Sequence, residues 1–583
     1  MKSMTLRDIL RENISQVIEG LAGSLGVPNF SLEVPEVAEH GDYATNAPLM
    51  LAKSLERKPM DIAEELAKPL ADERWGVSVA APGFLNFTFT DDVLVAALKE
   101  VLEAGDGWGT STVGKGKTVM VEYFQLNIAK RPHIGHLRSA VIGDALKRIF
   151  LSQGYHAVSD THVGDWGTQF GILLLGYKAA EQEQVKKEIE IDPFAFLEDI
   201  YARENKKIEM DPERRTLAKE EFAKLERGDT ENRKIWEWMV DVSMKKLEES
   251  AERLGLLPFD EHKGESSYEK EMPPIVEEAL QKNVATHKED SAIVIDLTSE
   301  KLDEAVLIKS DGASTYLLRD LATIKYRQEK WKFWKNIYVV DVRQSHHFRQ
   351  LFRVAELLGY EGVGASEPAY RTGRHIEFGF MKLPEGAIST RKGTAIALDA
   401  LLDEAEKHAL AVIREKNPEL PHADIVARQV GMGAVKYFDL SHNRKSDITF
   451  EWEKALSFEG NTGPYLQYTY ARLKSILRKG GDSLDDIKEI KNVSLADVEH
   501  RLISLVLRYS LIIEHALQGC APHILAAYLY ELASVANEFY HALPVLQESD
   551  EQKRMLRIMI ITATALTLKN GLYVLGIEAP EEM

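Results

Sequence analysis

Cysteine is nearly missing from this chain, which has one, Cys520, among 583 residues. A lone thiol forms no internal disulfide, and a structural zinc site takes more ligands than the chain offers in cysteine, so no zinc is expected. Long apolar runs are lacking as well. No stretch reaches the ~18 charge-free apolar residues of a membrane span. The opening MKSMTLRDILRENISQVIEGLAG has neither a continuous apolar core nor a small-residue cleavage pattern. It reads instead as an amphipathic helix with Leu6, Ile9, Leu10, Ile14, Val17, Ile18 and Leu21 on one face. These absences point to a cytoplasmic protein without membrane association.

Positive charge is in deficit, with 72 Lys+Arg against 92 Asp+Glu and a net charge of −20. Phosphate contacts supply most of the affinity of nucleic-acid binders, so the balance argues against one. Net charge averages over a surface, however. Lys325, Arg327, Lys330, Lys332 and Lys335, followed by Arg343, Arg349 and Arg353, form a local basic stretch, while acid is concentrated in 180–260. Such a run serves equally as a solvated helix face.

What is present is ordinary globular material, 44% hydrophobic and 28% charged, at a length that suggests three or four domains. Residues 1–112 mix helices with short strands, including Gly83 to Phe89, and end in a Gly-rich break from Gly105 to Gly116. From 117 strand and helix alternate, beginning with TVMVEYF and HAVSDTHV, which argues a Rossmann-like, doubly wound parallel sheet. A charged helical insertion spans about 178–260. The sheet is expected to resume with SAIVIDL, AVLIKS and NIYVVDV. From about 400 onward apolar residues recur at three- and four-residue spacing, as in HRLISLVLRYSLIIEHAL, giving an all-α bundle. The fold class is thus α/β, with insertions, an α+β N-terminal domain and an all-α C-terminal bundle.

Five clusters carry chemistry. The first is Pro132-His133-Ile134-Gly135-His136, set between an apolar strand and an amphipathic helix. A helix N-terminus offers unpaired N–H groups to anions, Gly135 lets a ligand approach the backbone, and the imidazoles add donors. Glu122, Asn127 and Lys130 lie in the same strand end and turn, where open α/β sheets bind ligands. The second cluster, Thr161 to Gly171, interleaves glycines with Asp165, Trp166 and Gln169; a tight connection over a buried Trp reads the same way. In the third, Tyr316 and Asp320 share one helix face, and a carboxylate beside a hydroxyl suits a planar cation. In the fourth, Gln344 and His347 follow a strand; the adjacent His346 and His347 do not converge on a metal, and no metal site is expected. The fifth is the polar loop Ser389, Thr390, Arg391, Lys392 and Gly393, suited to closing on a polyphosphate.

In this order the clusters resemble the class I aminoacyl-tRNA synthetases and, in detail, the arginyl-tRNA synthetase family. HIGHLRS, HVGDWGTQFG, FDEHKGESSY, TYLLRDLA and Gly433 to Leu473 are similar to that family's segments. HGDYATNAPLMLAK and PGFLNF are similar to its extra N-terminal domain, EFYHALPVL and VLGIEAPEEM to its anticodon-binding domain. The resemblance implies domains at 1–112 (tRNA D-loop side), 113–380 (catalytic), 381–452 (signature loop and connecting region) and 453–583 (anticodon-binding). It implies ATP-dependent activation of L-arginine, with Mg2+, and transfer to the terminal adenosine of tRNA(Arg) by a monomer. His133 and His136 would hold the phosphates, with Lys130 and Arg391 assisting catalysis. Gly135, Gly164, Asp165, Gln169, His347, Ser389 and Thr390 would complete the ATP site. Glu122, Asn127, His133, Tyr316, Asp320 and Gln344 would bind arginine, and Phe84, Asn86, Tyr465, Tyr468, Arg472 and Met583 would meet tRNA. No editing domain is expected.

Two departures stand out. The KMSKS signature is replaced by Ala387-Ile388-Ser389-Thr390-Arg391, without either lysine, and Lys130 occupies the position thought to compensate. Where the family usually has Ser-Ser-Pro-Asn this chain has Phe124-Gln125-Leu126-Asn127, which puts the contact to the arginine ammonium in doubt. The eroded loop motivates a second reading, a synthetase-like tRNA-binding protein without aminoacylation activity.

Overall fold

The computed structural model describes residues 5–23, 26–35, 37–180, 182–360, 373–383, 386–387, 397–480, 490 and 493–583. Two compact units emerge. One joins Met1–Trp108 with Arg472–Ser510 and Glu531–Asn570; the other joins Gly109–Ala471 with Leu511–Tyr530 and Gly571–Met583.

In the first unit the helix Leu6–Ala22 opens on a capping box between Thr5 and Asp8. Its apolar stripe buries Leu10, Ile14 and Ile18 at the four-residue spacing of one helix face. An antiparallel sheet takes the order Leu32–Glu33, Tyr43–Thr45, Phe84–Phe89, Trp75–Ala80. Asp42 is buried beside it. Its carboxylate accepts from the Phe89 amide at 2.8 Å, from Ser504 at 2.6 Å and from His500 at 3.2 Å, so its desolvation is offset by three donors.

The second unit is built on four parallel strands in the order Gly373–His375, Lys335–Tyr338, Thr118–Glu122, His156–Asp160. From Thr118–Glu122 the chain winds through the helix Ile134–Ser152 to His156–Asp160 on one side. From the neighbouring Lys335–Tyr338 it winds through Ser345–Leu358 to Gly373–His375 on the other. The two central strands therefore flank the switch point where doubly wound sheets leave a crevice. The insertion forms four helices, Gln182–Ile191, Pro193–Met210, Glu213–Glu226 and Thr230–Arg253. They pack on Thr168–Ala179 closely enough that a methyl group on Gly171 would lie 1.9 Å from the Ala218 carbonyl oxygen.

One expectation is corrected. SAIVIDL and AVLIKS do not rejoin the parallel sheet. Ile293–Ile295 and Ala305–Ile308 pair antiparallel with each other, in a separate three-stranded sheet with Thr286–His287. The link between them is too short for the crossover that parallel pairing requires. Only Lys335–Tyr338, from NIYVVDV, joins the main sheet.

Beyond residue 397 the described chain is mostly helical: Leu398–Lys416, Ala423–Leu440, Gly463–Gly480, Asp497–Gly519, Pro522–Ala542 and Glu551–Val574. The last of these has the length and hydropathy of a membrane span, but 78% of its most apolar window is buried in the molecule, as in the core helix of a globular protein.

Candidate active site

Two loops leave adjacent strand ends and are fastened to each other. Glu122 and Asp160 face each other in register. Just beyond them the Gly164 amide donates to the Leu126 carbonyl at 2.9 Å, and the Ile128 amide to the Gly164 carbonyl at 3.3 Å. A Cβ on Gly164 would sit 2.4 Å from Asn127 Oδ1, so any larger residue would displace the Asn127 side chain. Phe124, Ala129 and His162 all take positive φ, so these loops hold non-glycine residues in the left-handed region.

A cavity of about 960 Å3 opens at this switch point. Ten residues singled out in the sequence line it: Glu122, Asn127, His133, Gly135, His136, Gly164, Tyr316, Asp320, Gln344 and His347. His133 is the N-cap of Ile134–Ser152, and its Nδ1 accepts from the Gly135 amide at 3.0 Å. His136 Nδ1 in turn accepts from the His133 amide at 3.1 Å. A ring that accepts at Nδ1 and is neutral carries its proton on Nε2, so both histidines hold an Nε2–H donor for a ligand. Burial, with His133 and Lys130 nearby, pushes His136 down to about 3; burial and Lys130 also lower His133. The pair is neutral at physiological pH, with ring centroids 3.9 Å apart.

Across the cavity Asp320 is held by two imidazoles. His347 Nε2 lies 2.6 Å from Oδ2, and His162 Nε2 lies 3.6 Å from Oδ1. Burial alone would raise the Asp320 carboxyl, but the two histidines hold it at about 2, fully ionised. Burial likewise opposes a charge on His162, yet Glu122 and Asp320 raise it to about 9, so it is a cation at neutral pH. Glu122 is engaged too. Arg327, fully buried, places Nη2 2.7 Å from both Glu122 Oε2 and Asp160 Oδ2. Gln125 donates to Glu122 Oε1 at 3.1 Å and accepts from Ser139 at 3.1 Å.

Several expected residues lie elsewhere. Lys130 is exposed, 5.7 Å from the Tyr201 ring centroid, and reaches the histidines through its field and not by lining the cavity. Asp165 is buried and already spoken for: it accepts from the Ser266 amide at 2.8 Å and the Ser266 hydroxyl at 2.6 Å. Gln169 Nε2 donates to the Gly164 carbonyl at 3.1 Å. Trp166 packs edge-on against Phe222 and Trp236, which is the tight-connection reading of that motif. Ser389, Thr390 and Arg391 lie outside the described residues. Phe84 is half-buried on its strand and Asn86 is buried. Tyr465 packs on Tyr530, Tyr468 on Phe458, and Arg472 donates to Asn537 at 2.9 Å. The Met583 carbonyl accepts from Asn417 at 3.4 Å.

The basic stretch is not a free cationic track. Arg327 is interior, Lys325 pairs with Glu278, Lys330 with Glu261, Arg343 with Asp341 and Arg353 with Glu300. Except for Asp341, two residues from Arg343, these carboxylates come from segments distant in sequence, which is why most of the run looked unpaired in the sequence. His162 and Arg327 were missed as site residues; a histidine two positions past a strand end was the available signal for the first.

A half-open sheet with its nucleotide-type crevice at the switch point, a His-Ile-Gly-His cap on the first helix and a helical C-terminal region together define a class I aminoacyl-tRNA synthetase fold. Residues 98–452 match the family model described as tRNA synthetases class I (R), catalytic domain. Residues 7–89 match the Arginyl tRNA synthetase N terminal domain and 466–583 the DALR anticodon binding domain. The chain is 38% identical to the Arginine--tRNA ligase of Chloroflexus aggregans, over 99% of this chain and 100% of that one. It is 36% identical to the Arginine--tRNA ligase of Fusobacterium nucleatum, over 100% and 99%. The Thermus thermophilus arginyl-tRNA synthetase superposes with a TM-score of 0.82 at 27% identity, covering 99% of this chain and 100% of that one. The chain belongs to the arginyl-tRNA synthetase family; it is an ATP-using class I ligase, and the reading without activity is set aside.

Proposed function

We propose that this chain binds arginine and ATP together in the switch-point cavity. The arginine carboxylate attacks the α-phosphate of ATP in line, pyrophosphate leaves, and arginyl-adenylate forms. The 2′-hydroxyl of the terminal adenosine of tRNA(Arg) then takes the arginyl group, and AMP leaves. The observation that carries this reading is the pairing, in one cavity, of two neutral Nε2–H donors on the His133 cap with the ionised Asp320 opposite them.

In this reading His133 and His136 donate to the phosphates as charge develops, next to the N–H groups of the Ile134–Ser152 helix. Gly135 and Gly164 leave room for the nucleotide. Asp320 receives the guanidinium, with Tyr316, Asn127, Gln344 and Glu122 around it. His347 sits between the two substrates, bonded to Asp320. Lys130 adds positive potential behind the phosphates, and Asp165 and Gln169 support the ATP side by fixing the Gly164 loop. Ser389, Thr390 and Arg391 serve the ATP phosphates in this reading. Phe84, Asn86, Tyr465, Tyr468, Arg472 and Met583 belong to regions that meet tRNA. Among the described residues no three His, Cys, Asp or Glu side chains are grouped to hold a metal. Mg2+ would accordingly arrive on the nucleotide, held by its phosphates. The chain acts as a cytoplasmic monomer.

The test is ATP–pyrophosphate exchange with arginine, run with and without tRNA(Arg). Arginine-dependent exchange in the presence of tRNA is expected, with lysine failing to substitute, because an ammonium cannot fill a fork-shaped site. Absence of exchange with tRNA present would refute the reading.

A further inference from the structure

We infer that His162 is a positioning residue for arginine recognition: with His347 it fixes the Asp320 carboxylate so that the edge facing the cavity is free for a two-pronged donor. The inference rests on the proposal that Asp320 reads the guanidinium. A carboxylate offers roughly four acceptor sites, and a bidentate guanidinium uses one on each oxygen. His347 takes one site on Oδ2, and His162 approaches Oδ1, leaving one on each oxygen for the substrate.

Three observations single out His162. Its backbone is in the left-handed region at φ 41, a conformation an L residue adopts only when its surroundings hold it there. Its amide is tied to Asp160 Oδ1 at 3.1 Å, so its position is set by the strand end and not by the loop. Its side chain is nearly buried, and Nδ1 has no hydrogen-bond partner. A buried imidazole that spends only its Nε2 edge is costly unless that edge matters. The charges that face it come from Glu122, Asp160, Asp165, Glu265, Asp320 and Arg327, and the acidic ones keep it cationic, so its contact with Asp320 at 3.6 Å is an ion pair.

The geometry gives a discriminating pair of variants. Glutamine places an amide N–H near the position of Nε2; asparagine places one near Nδ1. Both remove the charge equally. Steady-state exchange should give His162→Gln an arginine KM within about threefold of the parent, and His162→Asn a KM raised about tenfold or more, through loss of the polar contact that steadies Asp320 Oδ1. The ATP KM should stay unchanged in both, and melting temperature reports whether each is folded. Equal arginine KM values for the two variants would overturn the positioning role, as would parallel changes in both KM values. Asp320→Asn separates the layers. If it leaves the arginine KM unchanged, the guanidinium reading of Asp320 falls and takes this inference with it. If it raises that KM while His162→Asn does not, only the role of His162 falls.

Discussion

His133 and His136 are held neutral by burial and by Lys130, and this fixes what acidity can do to them. A free imidazole titrates near 6.5, whereas His136 stays unprotonated down to about 3. The activation rate is therefore expected to show no imidazole step between pH 6 and 7.5, checked by the pH profile of arginine-dependent exchange. Lys130→Ala removes a charge that touches the phosphates only through space; a fall on the order of a hundredfold in activation rate is expected, with little change in arginine affinity. A loss confined to arginine binding would contradict it. His162 has the opposite linkage to pH. Its folded pKa of about 9 lies above the unfolded 6.5, so it stabilises fully below 6.5 and the contribution is lost as pH rises through 9. The sum is on the order of 3 kcal/mol at most, and in denaturant titrations the stability difference between parent and His162→Gln should be fullest at pH 6 and shrink as pH rises to 9.5. Arg327 is a fully buried cation held by two carboxylates. Both are met by the one nitrogen Nη2, and lysine, one bond shorter, keeps the charge but brings its ammonium less far toward them; about 3 kcal/mol of stability should be lost, visible in thermal melts.

Among the elements, the helix Thr168–Ala179 is the platform of the insertion, and Gly171 sets its distance to Glu213–Glu226. Gly171→Ala should destabilise by about 1–3 kcal/mol through overpacking, measured by melting temperature, without touching any residue of the cavity. The elements that were legible in the sequence are those whose signals are local. A strand, a capping histidine and a helix follow one another between Thr118 and Ser152, so punctuation placed the switch point directly, although the helix, expected to be amphipathic, is buried on every side from Leu137 to Phe150. Asp320, His347 and His162 sit on three segments joined only through the sheet, and nothing along the chain announces that they meet. The same limit explains the misplaced strands. The short apolar runs Ile293–Ile295 and Ala305–Ile308 declare strands, but pairing direction is set by the length of the connection, not by the runs themselves. Asp165 was read for its chemistry because it follows a glycine in a turn; its partner Ser266 is too far along the chain for its structural use to show.

For the molecule as a whole, charge and packing act at a distance from the cavity. Lys325, Lys330, Arg343 and Arg353 of the basic stretch are each paired with a carboxylate, within a chain whose net charge is −20. Residues 571–583 belong to the catalytic unit: Glu578 accepts from Gln429 at 2.6 Å, its carbonyl accepts from Gln467 at 2.8 Å, and Ile577 is buried. Deleting 577–583 should cost about 1.5–3 kcal/mol for the side chain of Ile577 alone, with a lower denaturant midpoint as the readout. The buried Arg327 has a consequence of another kind. A guanidinium held by two carboxylates inside the protein is the same chemical recognition proposed for the cavity. Every copy of this enzyme is translated with arginine that earlier copies attached to tRNA. A variant that charged lysine by mistake would write that mistake into position 327 of its successors, where the shorter lysine falls short of the two carboxylates. Loss of fidelity would thus lower the supply of stable enzyme, and the error would limit its own inheritance.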